Sequence, residues 1–169
     1  MSFLRNRYSF IGLVAAIVLL IDQVIKELVL QYLPLYTRIP VFEGFFNLVH
    51  YRNRGAAFGF LNRDDITWQF WLFFVATVLA FALIFVLAKK AKADDTPFFI
   101  ALGLIIGGAT GNLVDRIRFR EVVDYLDFYV GQYHWPAFNM ADVALCCGAA
   151  IACFLSFRKT TEDGKARSE

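Results

Sequence analysis

Residues 70–88 read FWLFFVATVLAFALIFVLA, and among these nineteen positions only Thr77 is polar. A helix needs about 20 mostly apolar residues to cross the hydrocarbon core of a bilayer, and this run supplies them. Three more runs follow the same rule, at about 9–30, 98–114 and 138–157. The first is interrupted late by Asp22 and Lys26. The third can continue into Asp115 and Arg116, and the fourth carries Asp142 near its start. Hydrophobic residues make up 59% of the 169, against roughly 45–50% in an ordinary soluble domain. A water-soluble chain of this length would need a very large core to hide that surface, so a bilayer is the simpler solvent. The expected architecture is an all-α integral membrane protein of four transmembrane helices, in one domain covering 1–169. A net charge of +2 argues against nucleic acid as the main partner.

Arg5 and Arg7 ahead of an apolar stretch resemble a secretory signal peptide, but no small-x-small cleavage site follows. The segment reads as a retained first span. Four spans put both termini on one side, and positive charge chooses the side. Nine Lys and Arg lie before span one, in the link at Lys89, Lys90 and Lys92, and in the tail. Seven arginines lie in the other two loops. The nine sit in short segments, so their density predicts cytoplasmic termini. Between spans one and two, FFNLVHYRN at 45–53 is rich in β-formers and flanked by Gly44 and Gly55, which predicts a short β-ribbon at the outer surface.

Under that topology one set of polar residues converges on the outer leaflet. Asp22 and Lys26 lie late in span one, and Asn53 in the first outer loop. Asn112, Asp115 and Arg116 end span three. Asp124 and Asp127 follow it, and Asn139 and Asp142 open span four. Ionisable groups inside hydrocarbon are costly and usually mark a functional interior. Each also has a plain structural reading. Asp22 and Lys26 can pair at i, i+4, and Asp115 can pair with its neighbour Arg116. His50 and His134 lack metal-ligand spacing and read as packing or interface residues. Cys146, Cys147 and Cys153 read as small packing residues in a helix.

The residue types limit the chemistry. No His-Glu-x-x-His or comparable metal ligand set is present. The serines lie at the cytoplasmic ends, away from a base. Carboxylates remain. Two aspartates held close together share a proton, so that one activates water while the other donates to a carbonyl. Asp124, Asp127 and Asp142 lack an adjacent cation in the sequence and are the candidates, and physics alone leaves Asp124 and Asp127 as alternatives. Gly103, Gly107 and Gly111 form consecutive GxxxG steps, which let helices approach closely. Span four carries Ala141, Cys146, Ala149, Ala150 and Cys153. The expectation is that these two small-residue faces meet.

Five motifs in order resemble the lipoprotein signal peptidase (signal peptidase II) family along nearly the whole chain. They are Asp22-Gln23-x-x-Lys26, Asn53-Arg54-Gly55-Ala56-Ala57-Phe58-Gly59, Gly107-Gly108-Ala109-x-Gly111-Asn112-x-x-Asp115-Arg116, Val122-Val123-Asp124-Tyr125, and Pro136-x-Phe138-Asn139-x-Ala141-Asp142. Tyr125 stands where the family pattern has Phe. The resemblance implies four spans with a small extracytoplasmic β-cradle and a surface helix over the site. It implies Asp124 and Asp142 as the catalytic pair of an aspartyl endopeptidase. Asp22, Lys26, Asn53, Asn112, Asp115, Arg116 and Asn139 would position substrate or support the site. The implied substrate is a diacylglyceryl-modified prolipoprotein, cut before its lipidated lipobox cysteine. The implied location is the bacterial inner membrane among its lipids, with no metal or organic cofactor, and the cyclic peptide globomycin as inhibitor. Asp142 near a helix start would be favoured as the charged partner, and which aspartate holds the shared proton stays open. The rival reading is a small proton-coupled membrane transporter. Against it, the polar residues stop at one depth, and 70–88 offers no relay.

Overall fold

The computed structural model describes residues 6–55, 61 and 68–166. Four long helices are present: α1 (Arg7–Tyr32), α2 (Gln69–Lys90), α3 (Thr96–Phe119) and α4 (Met140–Ala166). Each is long and apolar enough to cross a membrane, α4 over Met140–Arg158. The helices α1, α2 and α3 exceed their predicted bounds at both ends. The side chain of Asn6 accepts the Tyr8 N–H and caps α1. Arg120, at φ 62°, closes α3 in the left-handed region. Helix α4 starts later than predicted, because the Phe138 backbone pairs with Leu126 and Asn139 becomes the cap.

The remaining chain forms a small antiparallel sheet in the order β1 (Arg38–Phe42), β2 (Phe46–Asn53), β3 (Val122–Val130) and β4 (Tyr133–His134). The predicted ribbon at 45–53 is therefore β2, between β1 and β3. Between α3 and α4 the chain forms the two strands β3 and β4. Gly44 and Gly131 take positive φ in the tight turns β1–β2 and β3–β4, where a side chain would be strained. Among the described residues there is no separate surface helix. Residues 56–60 and 62–67, between β2 and α2, lie outside them.

Helix α3 is central, packed on α1 and α4 and less extensively on α2. Its glycine face does not meet α4 as expected. A Cβ on Gly103 would fall 2.6 Å from Val14 Cβ, and one on Gly107 2.7 Å from Val18 Cβ, so this face seats α1. Only Gly111 also touches Ala141. The seam with α4 uses Gly108 against Ala141 and Leu145, and Gly148 against Ala101 and Leu104. On α4 the buried face is Ala141, Ala144 and Gly148, at helical spacing. Cys146, Ala149, Ala150 and Cys153 are exposed, so they do not form the predicted packing stripe.

The two ends of the bundle differ. At one end Ile11, Ile84, Ala88, Phe98, Phe99 and Leu102 form an apolar cluster. There Arg7 Nη1 donates to the carbonyls of Ala88 and Ala91, at 2.8 and 2.9 Å, and joins the start of α1 to the α2–α3 link. At the other end Val29 of α1 packs under Val123 and Tyr125, which seats the sheet on the bundle.

Candidate active site

Beneath the sheet, the late turns of α1 and α3 bring a buried charged network together. Lys26 Nζ lies 2.9 Å from both Asp22 Oδ2 and Asp115 Oδ2. All three side chains are almost fully buried. Gln23 Nε2 donates to Asp22, to Asp115 and to the Gly111 carbonyl. The remaining acceptors are used for tethering. Asp22 Oδ1 takes the Ala141 N–H at 3.0 Å and holds the first turn of α4. Asp115 Oδ2 takes the Val123 N–H at 3.1 Å and holds the start of β3. A buried charge is tolerable only when paired and hydrogen-bonded, and each of these is.

The expected Asp22–Lys26 pair is therefore real, but Asp115 pairs with Lys26 rather than with Arg116. Arg116 turns away. Its Nη2 donates to the Gly55 carbonyl at 2.8 Å, and its guanidinium lies 4.1 Å from the Phe73 ring centroid. Its Nε is buried with no hydrogen-bond partner among the described residues.

Asp124, on β3, and Asp142, in the first turn of α4, line one cavity of about 650 Å³. Three asparagine amides hold them. Asn112 Oδ1 accepts from Lys26 Nζ at 3.0 Å, so its Nδ2 is free to donate to Asp142 Oδ1 at 2.7 Å. Asn139 Oδ1 caps α4 by accepting the Asp142 N–H, and its Nδ2 donates to Asp124 Oδ1 at 2.8 Å. Asn53 Oδ1 accepts the Gly55 N–H, and its Nδ2 donates to Asp124 Oδ2 at 3.2 Å. In each case an obligate donor claims the amide oxygen, and that fixes which end faces the carboxylate. Asp142 Oδ2 in turn accepts the Asn139 N–H at 3.2 Å, a reciprocal cap.

Burial pushes the Asp124 carboxyl up to about 7, and the Asp142 charge pushes it the same way. The Asn139 and Asn53 hydrogen bonds and the Lys26 charge oppose the rise without cancelling it. A pair of this kind can hold one proton near neutrality, ready to activate water and to donate to a carbonyl.

Asp127 lies three residues from Asp124 but belongs to another network. It accepts from Asn47 Nδ2 at 2.8 Å and His134 Nδ1 at 2.8 Å, and Arg38 Nε stands 3.7 Å away. The cation it lacks in the sequence is thus supplied by the fold, as Arg38. His50 is tied to the Leu33 carbonyl, in keeping with its packing reading. Sequence reasoning missed Gln23 as a bridge and Tyr125 as the acceptor of the Met140 N–H, although both sit beside residues it selected. It also missed the cavity's apolar arm, formed by Phe73, Ala76 and Ala80 of α2, Ile105 of α3, and Cys146 and Cys147 of α4. No polar pattern marks such a surface.

Residues 14–158 match the model of a family described as signal peptidase (SPase) II. The chain belongs to the signal peptidase II family. A lipoprotein signal peptidase of Nitratidesulfovibrio vulgaris (strain DP4) is 54% identical over 160 residues, 95% of this chain and 96% of that protein. One of Oleidesulfovibrio alaskensis is 51% identical over 155 residues, 92% of this chain and 99% of that one. Two solved bacterial membrane enzymes, obtained by the in meso method at 2.3 and 1.9 Å, share the fold. Their TM-scores are 0.78 and 0.73, each at 30% identity. The alignments cover 89% and 85% of this chain and 88% and 89% of theirs. Family membership makes the chain a multi-pass membrane protease, and the peptidase reading stands over the transporter.

Proposed function

We propose that the chain is a membrane aspartyl endopeptidase that removes the signal peptide from diacylglyceryl-modified prolipoproteins, cleaving before the lipidated cysteine. Asp124 and Asp142 are the catalytic pair. The observation that carries this is their common cavity, with one carboxyl pushed up to about 7 and each held by an oriented asparagine. The names of the relatives support the substrate class.

In this reading the pair shares one proton, and a water lies between the two carboxylates. The charged partner takes a proton from the water as oxygen attacks the scissile carbonyl, and the other donates to the carbonyl oxygen. The tetrahedral intermediate collapses when a proton reaches the leaving nitrogen. Burial raises the Asp124 carboxyl, which favours it as the proton holder. Asn53, Asn112 and Asn139 fix the carboxylates. Asp22, Lys26 and Asp115 hold the elements that carry them, and Arg116 shapes the cavity wall.

The site lies towards the outer leaflet of the bacterial inner membrane, beneath an extracytoplasmic sheet and among membrane lipids. Both termini are cytoplasmic, and 1–169 forms one membrane-embedded domain. Globomycin competes for the same cavity. The test is cleavage of a lipidated precursor in liposomes by the parent, Asp124→Asn and Asp142→Asn. Each variant should insert and purify yet lose about 10²–10⁴ in rate, the range for removing a general acid or base. Substantial turnover by either would remove that aspartate from the role.

A further inference from the structure

We infer that His134 is a positioning residue: clamped to Asp127, it sets the cavity wall formed by Trp135, Pro136, Ala137 and Phe138, and with it the fit of substrate. This rests on the peptidase reading for its kinetic consequence only. Those four residues line the cavity that holds Asp124 and Asp142, on the side contributed by the connection from β4 to α4. The far end of the wall is fastened by backbone, because the Phe138 carbonyl accepts the N–H groups of Tyr125 and Leu126. The near end is held by one backbone bond, from the Trp135 N–H to the Phe128 carbonyl at 2.7 Å, and by β4, a strand of only two residues. So short a strand supplies little pairing of its own.

The His134 side chain adds the hold that ties β4 to the buried floor of the sheet. Its Nδ1 lies 2.8 and 3.1 Å from the two oxygens of Asp127. A carboxylate only accepts, so Nδ1 carries the proton and donates. The imidazole also stacks on Tyr129, with centroids 4.9 Å apart and planes 7° from parallel. Tyr129 is itself anchored, since its hydroxyl accepts the Gly44 N–H at 2.8 Å. Asp127 is buried and directly opposite Asn47 in the β2–β3 register, and Asn47 donates to it. Arg38 of β1 stands near the same carboxylate. One buried side chain thus gathers β1, β2 and β4 onto β3, and His134 is its link to the wall. The clamp touches neither Asp124 nor Asp142, so its loss acts on binding rather than on the chemical step.

The experiment compares His134→Ala, His134→Gln, Asp127→Ala and the double variant with the parent in the lipidated-precursor assay. His134→Ala should raise KM about three- to tenfold, the size of one ordinary net hydrogen bond, with kcat little changed. Gln can still donate, so His134→Gln should recover most of the loss. The double variant should be no worse than Asp127→Ala, because both single changes cut the same tether. A second readout needs no turnover: with 5-fluorotryptophan incorporated, the Trp135 resonance, assigned by Trp135→Phe, should shift in His134→Ala while those of Trp68 and Trp71 stay. An unmoved Trp135 signal overturns the inference, whether or not the parent cleaves. An unmoved KM, or an equal fall in kcat, in an active parent overturns it as well. A parent that cleaves nothing speaks against the peptidase reading alone and leaves the fluorine result to judge the clamp.

Discussion

At the scale of single residues, the site depends on groups whose second contact decides what the first can do. Asn139 caps α4 with its oxygen and holds Asp124 with its nitrogen. Asn139→Ala should cost about 1 kcal/mol of stability as a lost cap and lower cleavage far more than that, measured by thermal unfolding in detergent beside the assay. Lys26 is a cation shared by Asp22 and Asp115. Lys26→Met leaves both carboxylates buried without it, a loss of about 3–5 kcal/mol, visible as a lower Tm and poor recovery from the membrane. Asp124 gives a pH dependence whose sign follows from its direction. Its carboxyl is pushed up to about 7, so the pair keeps its shared proton below that pH and loses it above. The rate should fall as pH rises through about 7 to 8. Stability follows the same sign, because the folded state holds a proton that the unfolded chain has released above its ordinary carboxylate pKa of about 4. This group's contribution therefore declines between about pH 4 and 7, and Asp124→Asn should abolish that decline. Much of this site was legible in the sequence, because buried charges stand out against an apolar background. The partners were not. The pairing of Asp115 with Lys26, and the capture of Asp127 by Arg38 and His134, join residues that only the fold brings together.

At the scale of elements, the four helices were legible from the length of their apolar runs, and the strand at 45–53 from its β-forming residues. The faces by which the helices meet were not. In water an amphipathic stripe shows which side is buried. In a bilayer both sides are apolar, and small residues tell only that something comes close. Gly107 is such a case, since it seats Val18 and the Ala15 carbonyl of α1. Gly107→Leu should cost about 1–3 kcal/mol through overpacking. It should also cut cleavage by about a hundredfold, since small displacements at a reacting centre are expensive. The route is the α1–α3 seam, across which Lys26 reaches Asn112. Gly12→Leu is the control, because nothing lies within 4 Å of a Cβ there. Near-normal cleavage by Gly107→Leu would mean that the seam does not set the site.

At the scale of the whole molecule, Arg7 and the α2–α3 link share one end of the bundle, and the sheet occupies the other. In a variant with Cys146, Cys147 and Cys153 replaced by Ala, Asp94→Cys should react with a membrane-impermeant maleimide only from the cytoplasmic side. Tyr133→Cys should react only from the outside. The opposite pattern would invert the proposed orientation. The asparagine tethers also have a consequence for biogenesis. Asn112 is oriented by α1, Asn139 exists as a cap only once α4 has formed, and Asn53 arrives with β2. A nascent chain with three spans inserted has neither Asp142 nor Asn139, one of the two amides that aim Asp124. On the proposed reading, the catalytic pair is complete only when the last helix is in place.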